Sequence, residues 1–508
     1  MLRLMSRPIV IVGAGSSGAV LAHRLSAEGR HQVLLLEAGP DYLPAQLPAD
    51  LRDGRRNSMT QHDWGYRHQP SRHSFAFPLP RGRVVGGSSA VNTCIALRGQ
   101  PEDFDEWAEL GLPEWSFERC LPAFKRLETD LDFDGDAHGK TGPLPIRRHP
   151  RSELVPIQAA FLEACAELGY PYCADSNAPG EAGYGPHAMN KIAGRRISAA
   201  EAFLTAEVRA RENLRIAPLS LVRRVLFENK RAVGVEVEGP QGLQRIEAGH
   251  VILCGGAVNT PGILLRSGVG PERDVARLKV DLVQDAPAVA RRLLDHPGTG
   301  IFVAPRAGFQ VDHEAPILQT VFRYSSGLCN HRADMLLQPA SFTMLKRKVN
   351  MFGMVTQVGK PRGHGELRYL DADPRSRPQI RSRFFEDAQD RELARKALQR
   401  CFDLLQTRAL SALGRAVLPW PAMLRSDRLL DFAIPRLCDS GYHPCGTVPM
   451  GARPGLDAAV DGRGKVFGLE GLYVADASLM PTVPSSNIHL PTLMMAERLA
   501  EWLTVDLS

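Results

Sequence analysis

The nine cysteines of this 508-residue chain fall at irregular spacings with no Cys-x-x-Cys pair, so there is no zinc signature and no disulfide framework. They read as buried thiols in a reducing compartment. No run of about 18 apolar residues is available to span a bilayer. With a first strand opening near residue 8, no cleavable signal peptide is expected ahead of it, and the protein is expected to be cytoplasmic. Basic residues never gather into an arm that would hold nucleic acid; the formal charge of +6 is a mild excess over a large surface. Internal repeats and low-complexity tracts are absent as well. What remains is an ordinary globular composition, 44% hydrophobic and 23% charged, in a chain long enough for two domains.

The stretch that organises the chain runs from Pro8 to Gly39. Four consecutive apolar, β-branched residues after Pro8 predict a short strand buried inside a parallel sheet. It ends on Gly13-Ala-Gly15-Ser16-Ser17-Gly18, a G-x-G-x-x-G turn. The first glycine permits the tight turn, the second lets backbone approach a pyrophosphate, and the third lets the following helix pack on the strand. A second buried strand, Val33-Leu-Leu-Leu36, ends on Glu37. A carboxylate there accepts hydrogen bonds from the two ribose hydroxyls of an adenosine. The unit predicts a dinucleotide site and leaves NAD or FAD open.

Residues 40 to 80 read as a long irregular excursion, ending on Pro80-Arg-Gly-Arg-Val-Val85-Gly86-Gly87-Ser88-Ser89-Ala-Val91-Asn92, where something flat can approach backbone closely. Helical spacing across Pro101 to Leu127 predicts Phe104, Trp107, Leu110, Leu121, Phe124 and Leu127 as core. Asp130-Leu-Asp132-Phe-Asp134-Gly135 opens like a calcium loop, but Thr141 stands where a bidentate Glu is required, so an acidic surface turn is expected and no metal. Ser198-Ala-Ala-Glu201 is a capping box predicting a helix through about Arg209. Strands are expected at Leu214–Ile216, Leu221–Phe227 and Ala232–Val237, with Glu228-Asn-Lys-Arg as a hairpin turn, and at Val251–Leu253 before Gly255-Gly256. A packing helix is expected between Arg391 and Leu405. Leu472–Ala475 reads as a strand ending on Asp476, and Leu493–Leu503 as an amphipathic closing helix, with a proline-rich loop from Pro481 to Thr492 between them.

Together these stretches resemble the glucose–methanol–choline (GMC) oxidoreductases, FAD-dependent alcohol oxidases and dehydrogenases, over essentially the full length. Gly82 to Asp105 matches the first family signature, and Gly256-Ala-Val-Asn-Thr-Pro-Gly-Ile-Leu-Leu-Arg-Ser267-Gly268-Val-Gly270 matches the second. Within the family the tail Asp476-Ala-Ser-Leu-Met-Pro-Thr-Val-Pro and Asn487-Ile-His489-Leu-Pro491-Thr-Leu-Met-Met-Ala-Glu is most similar to the bacterial aryl-alcohol and hydroxymethylfurfural oxidase branch. The resemblance implies an α/β protein: a Rossmann-like FAD-binding domain plus a substrate domain with a mainly antiparallel sheet and packing helices. Mixed composition and short strands without glycine fingerprints place a second domain at about 300–430, and the chain is expected to divide into FAD-binding parts at 1–150 and 191–300, substrate-domain parts at 151–190 and 301–430, and a C-terminal part at 431–508 that serves both FAD binding and catalysis.

The resemblance also implies the cofactor and its contacts. Gly13, Gly15, Ser16, Ser17 and Gly18 would cradle the FAD pyrophosphate at a helix N-terminus, Glu37 would hold the adenosine ribose, and the backbone of Val222 would meet the adenine. Asn92 would lie near the isoalloxazine, Asp476 and Ala477 would complete the ribityl and pyrophosphate contacts, and Ala38, Trp64, Val85, Gly87 and Leu490 are further implied contacts. Some members attach the flavin through a His after the double glycine; that position is Val91 here, so non-covalent FAD is expected.

Gly441-Tyr442-His443-Pro444-Cys445-Gly446-Thr447 resembles the catalytic segment of the family, making His443 the candidate base. An imidazole suits the task because its ordinary pKa lies near working pH. The second site residue of the family, His or Asn, falls on His489, expected to hold the substrate oxygen; which of the two takes the proton is left open. Cys445 reads as packing. The Asn that precedes the Asp295-His296 pair in the family is Arg292 here. The implied reaction is oxidation of a primary, aromatic or apolar alcohol to the aldehyde, with oxygen or another acceptor reoxidising the flavin. Tyr442, Phe342, Met344, Met351 and Phe352 would suit such a substrate. No acid lies between Gln319 and Ser325 to pair with a quaternary ammonium. The alternatives are a GMC-fold hydroxynitrile lyase, a choline or aliphatic alcohol dehydrogenase using a non-oxygen acceptor, and a flavin-binding protein without catalysis.

Overall fold

A computed structural model describes residues 7–59, 61–343 and 349–507. Five strands form a parallel sheet in the order Leu214–Ala217, Val33–Leu36, Ile9–Val12, His250–Leu253, Leu472–Val474. The central Ile9–Val12 strand is buried along its whole length, which is why it carries no polar residue. Helix Ser16–Leu25 and the C-terminal helix His489–Asp506 pack against each other beside it. An antiparallel three-stranded sheet, Leu221–Glu228, Arg231–Gly239 and Gly242–Glu247, packs on the His250–Leu253 strand. Its first hairpin turns through Asn229 (φ 46°) and Lys230 (φ 63°). Two consecutive left-handed residues match the twist of the flanking strands.

A second, larger sheet is antiparallel throughout: Gly414–Leu418, Pro297–Pro305, Phe352–Val358, Met335–Ala340, Thr320–Tyr324 and Gly183–Pro186, with Asp439–Ser440 added against the start of Pro297–Pro305. Alternation gives each strand two faces. Ile301, Val303, Met335, Leu337, Phe352 and Met354 turn to the helices Pro156–Glu167 and Ala388–Gln406 and form a second core. Gly298, Gly300, Gln338, Ala340, Gly353, Val355 and Gln357 turn the other way, toward the parallel sheet. Among the described residues no helix is long and apolar enough to cross a membrane. Cys329 is exposed and the other eight cysteines are buried and free.

Several local expectations need correction. Pro101–Leu127 is two helices, Pro101–Glu109 and Phe117–Leu127, because Gly111 (φ +90°) breaks the first; Leu110 at its end is 52% exposed and Leu121 is only half-buried. The Ser198/Glu201 capping box forms, but its helix stops at Phe203, and Thr205 caps a separate turn, Ala206–Arg209. The closing helix begins at His489, four residues early. Pro491 is tolerated there because the first-turn N–H groups of a helix have no helical partner. The acidic turn is partly interior: Asp130 is buried against Arg148 Nη1 at 2.6 Å and His138 Nδ1 at 3.1 Å. Glu128, Asp130 and His138 stand within ligating distance of one another, and the Arg98 and Arg148 guanidiniums already occupy those carboxylates.

Candidate functional site

Between the two sheets lies a cavity of about 720 Å³. One end is built from strand-to-helix turns of the parallel sheet. Gly13 is left-handed (φ +103°), and a Cβ on it would lie 2.5 Å from the Cys254 carbonyl oxygen; one on Gly18 would lie 1.9 Å from that of Gly13. Gly18 thus permits helix-on-strand contact and does not reach the cavity wall. Gly15 faces open space, its nearest neighbour being Gly87 Cα at 3.9 Å from an added Cβ. Helix Ser16–Leu25 points its N-terminus here with no acid in its first turn, the polarity an anion requires. Glu37 accepts the Ala14 N–H at 3.0 Å and the Gly39 N–H at 2.8 Å. Burial pushes its carboxyl up to about 7 against those hydrogen bonds. Asp476 accepts the Gly256 N–H at 2.8 Å and the Thr260 hydroxyl at 2.6 Å, tying two turns of the sheet together. Ser16, Ser17, Ala38, Trp64, Gly87, Asn92, Val222 and Ala477 also line the cavity; Val85 and Leu490 are buried behind it.

The other end is assembled by an antiparallel ladder. Leu294 and Cys445 exchange both backbone hydrogen bonds, Gly441 N–H reaches the His296 carbonyl at 2.8 Å, and Pro297 pairs with Ser440. The ladder sets His296 beside His443. Their Nδ1 atoms are 2.9 Å apart, and His296 Nε2 lies 2.9 Å from the Pro484 carbonyl oxygen. A carbonyl only accepts, so His296 Nε2 carries the hydrogen, its Nδ1 accepts, and His443 Nδ1 donates. The lone pair of neutral His443 is thereby left on Nε2, where Asn487 Nδ2 donates to it at 2.9 Å. Asp295 anchors the segment, accepting the His443 backbone N–H at 2.9 Å and the Ser440 hydroxyl. Arg81 Nη2 donates to the Tyr442 carbonyl at 2.8 Å, across a left-handed Tyr442 (φ 65°). Burial, then the neighbouring His296 and Arg81, hold His443 well below the usual imidazole range; burial lowers His296 and His489 to about 4.

His489 does not stand beside His443 as expected. As the first residue of the C-terminal helix it turns to the opposite end, its Nδ1 3.3 Å from Ser16 Oγ. Asn487, two residues earlier in the loop, takes the place beside His443. Neither Asn487 nor His296 was singled out in the sequence, although the Asp295-His296 pair had marked its turn. Phe342 and Tyr442 line the cavity, Phe352 faces the helices, Met351 lies off the wall, and Met344 lies outside the described residues. Cys445 is fully buried in the core and its thiol is pushed far up by that burial.

A parallel sheet with a glycine-lined anion site, facing an antiparallel sheet with a paired histidine, defines a dinucleotide-dependent oxidoreductase. Residues 8–298 and 361–496 match the N- and C-terminal family profiles of the GMC oxidoreductases. The 5-(hydroxymethyl)furfural oxidase of Methylovorus sp. is 34% identical over 97% of both chains, and an oxygen-dependent choline dehydrogenase of Chromohalobacter salexigens is 34% identical over 97% of this chain and 94% of that one. The crystal structure of pyridoxine 4-oxidase from Mesorbium loti superposes with a TM-score of 0.91 at 31% identity, covering 98% of this chain and 99% of that one. The chain belongs to the GMC oxidoreductase family, enzymes acting on alcohols, and its cofactor is FAD. The cavity fits that group: Ser17 Oγ and His489 Nε2 are buried there without a partner among the described residues, beside the glycine cradle.

Proposed function

We propose that the protein oxidises a small primary alcohol to the aldehyde, with His443 as the base. The observation that carries the reading is the chain Pro484 carbonyl, His296, His443, Asn487, which leaves a lone pair on His443 Nε2 facing the cavity. In this reading His443 Nε2 takes the hydroxyl proton, and the imidazolium that forms keeps its Nδ1–H bond to neutral His296. Asn487 Nδ2 donates to the oxygen as negative charge grows on it. FAD, held by Gly13, Gly15, Ser16, Ser17, Glu37, Asn92, Val222, Asp476 and Ala477, supplies the hydride acceptor when bound. His489 beside Ser16 serves the cofactor rather than the alcohol. Val91, a hydrocarbon on the cavity wall, offers no nucleophile, which supports dissociable FAD.

The walls near His443 favour an uncharged, ring-sized alcohol. The carboxylates lining the cavity are already engaged: Glu37 and Asp476 by the backbone bonds described above, and Asp439 by His68 Nε2 at 3.0 Å and the Tyr442 hydroxyl at 3.2 Å. Among the described residues no further carboxylate lines the cavity to pair with a quaternary ammonium. The test is the visible spectrum under anaerobic conditions before and after addition of a primary aromatic alcohol. Bleaching of the oxidised-flavin band, with aldehyde formed in equal amount, supports the reading. Flavin that stays oxidised with every alcohol supplied, or while substrate is consumed, would sink it. Admitting air then distinguishes oxygen from another acceptor.

A further inference from the structure

The cavity face of the antiparallel sheet has an arrangement that alcohol oxidation alone does not use. Across three strands, Phe302, Gly353 and Ala340 form one row, Gly300, Val355 and Gln338 the next, and Gly298, Gln357 and Leu336 the third. Four of these nine residues are Gly or Ala, and two carboxamides rise from the floor beside them. Gln338 is fixed: its Oε1 accepts from His187 Nε2 at 2.9 Å, which turns its NH₂ group outward. Gln357 is not fixed. It is only 9% exposed, it lines the cavity, and its side chain has no hydrogen-bond partner among the described residues. Neither amide atom of Gln357 is sealed from the cavity, so both its donor and its acceptor are open to a ligand.

Gln357 also stands next to the proposed base. An added Cβ on Gly441 would lie 3.0 Å from His443 Nδ1, 3.1 Å from His296 Cβ and 3.2 Å from Gln357 Cδ, so the three side chains converge on one point. The amide both donates and accepts, and therefore suits either a hydroxyl or a carbonyl oxygen.

We propose that Gln357 is a specificity-determining residue that hydrogen-bonds a second oxygen function on the alcohol. The substrate class is then a compact primary alcohol with a further hydroxyl or carbonyl group, not a plain aryl or alkyl alcohol. This rests on the alcohol-oxidation reading above. It adds a demand that the reading does not make.

A matched pair of probes tests it: 1,4-benzenedimethanol and 4-methylbenzyl alcohol, alike in shape and differing by one hydroxyl. With the FAD-loaded wild-type enzyme, kcat/KM for the diol is expected to exceed that for the methyl compound about tenfold or more, the worth of one hydrogen bond to a group otherwise unpaired. In Gln357→Leu that ratio should collapse to about two, the statistical factor for two equivalent carbinols. Bound-flavin absorbance and the thermal midpoint show that the variant is folded and loaded, and the ratio of the two alcohols is then read on the loaded enzyme. If that variant does not fold, Gln357→Met is read by the same two outcomes. A ratio near two in the wild type, or a tenfold ratio that survives the substitution, overturns the assignment to Gln357 and leaves alcohol oxidation standing. If neither alcohol, nor any other supplied, bleaches the wild-type flavin, the alcohol-oxidation reading fails, and this one with it.

Discussion

His443 and His296 meet through their Nδ1 atoms at 2.9 Å, and the Pro484 carbonyl beyond His296 decides which of the two donates. The pair is an orienting device: it fixes one tautomer of His443 and puts the Nε2 lone pair at the cavity, where Asn487 Nδ2 donates to it. A base held this way keeps its tautomer and orientation, and only the Asn487 amide has to turn from Nε2 to the substrate oxygen before a proton is accepted.

His443→Ala therefore separates proton removal from cofactor binding. The variant is expected to retain FAD, because the glycine cradle, Glu37 and Asp476 are at the other end of the cavity. Its flavin should be reduced by substrate about 10²–10⁴ times more slowly, the usual contribution of a positioned general base. Stopped-flow reduction measures this, and an alanine variant reduced at the wild-type rate removes His443 from the chemistry.

Asn487 and His489, two residues apart, should fail differently. Asn487→Ala removes the donor 2.9 Å from His443 Nε2, so the reduction rate is expected to fall about 10–100-fold with FAD content unchanged. His489→Ala removes the neighbour of Ser16 Oγ, so bound FAD should fall while the loaded fraction reacts within about threefold of wild type. Measuring flavin content and reduction rate on both variants decides the assignment. The opposite pattern would return His489 to the place beside the base.

The difference between these two residues marks the limit of what was legible. Pro8 to Gly39 could be read because strand, turn, helix and acid are consecutive and each signal is local. The 481–492 loop could not, because a side chain two positions along a chain entering a helix points to another end of the cavity, and no local pattern says where the helix starts. His296 was hidden for a related reason: it reaches His443 through a ladder between segments about 150 residues apart. The antiparallel sheet was expected as a class, but its register pairs Gly183–Pro186 with Thr320–Tyr324, and only tertiary packing determines such long-range pairings.

The pH dependence follows from the depressed imidazoles. Neutral His443 is the competent form, and burial holds its pKa well below 6.5, so the reduction rate should stay flat through the ordinary imidazole range and fall only in more acid buffer. Stability has its own sign. His187, at about 3, and His296 and His489, at about 4, are lowered by burial, whereas in the unfolded chain each titrates near 6.5. Between those values the unfolded state binds more protons, so their contribution is complete above about pH 6.5 and is lost as pH falls toward 4. Each then removes about 1.4 kcal/mol per pH unit within that window. Glu37, raised to about 7 by burial, acts oppositely because the folded state keeps its proton longer. Thermal midpoints measured from pH 7 to 4 should therefore drop, and more steeply in Glu37→Gln, where one of the opposing contributions is gone. A midpoint that rises toward pH 4 would contradict the buried neutral histidines.

Gly353 offers a test of the cavity floor. Its neighbours across the sheet are Phe302 and Ala340, and an added Cβ would meet nothing closer than the Ala340 Cβ at 3.7 Å, ordinary contact distance. Gly300, by contrast, would drive a Cβ to 2.6 Å from the Met354 carbonyl oxygen, so substitution there disturbs backbone. Gly353 can thus accept a side chain without strain, and the volume it leaves open belongs to the ligand. Gly353→Val is expected to fold, to bind FAD and to react normally with a small alcohol such as allyl alcohol. With a ring-bearing alcohol its KM should rise about tenfold, as the branched side chain enters the space above the floor. The measurement is kcat/KM for the two alcohols side by side. An equal loss for both would mean that the substitution perturbs the sheet, and no loss for either would mean that the ring lies elsewhere in the cavity.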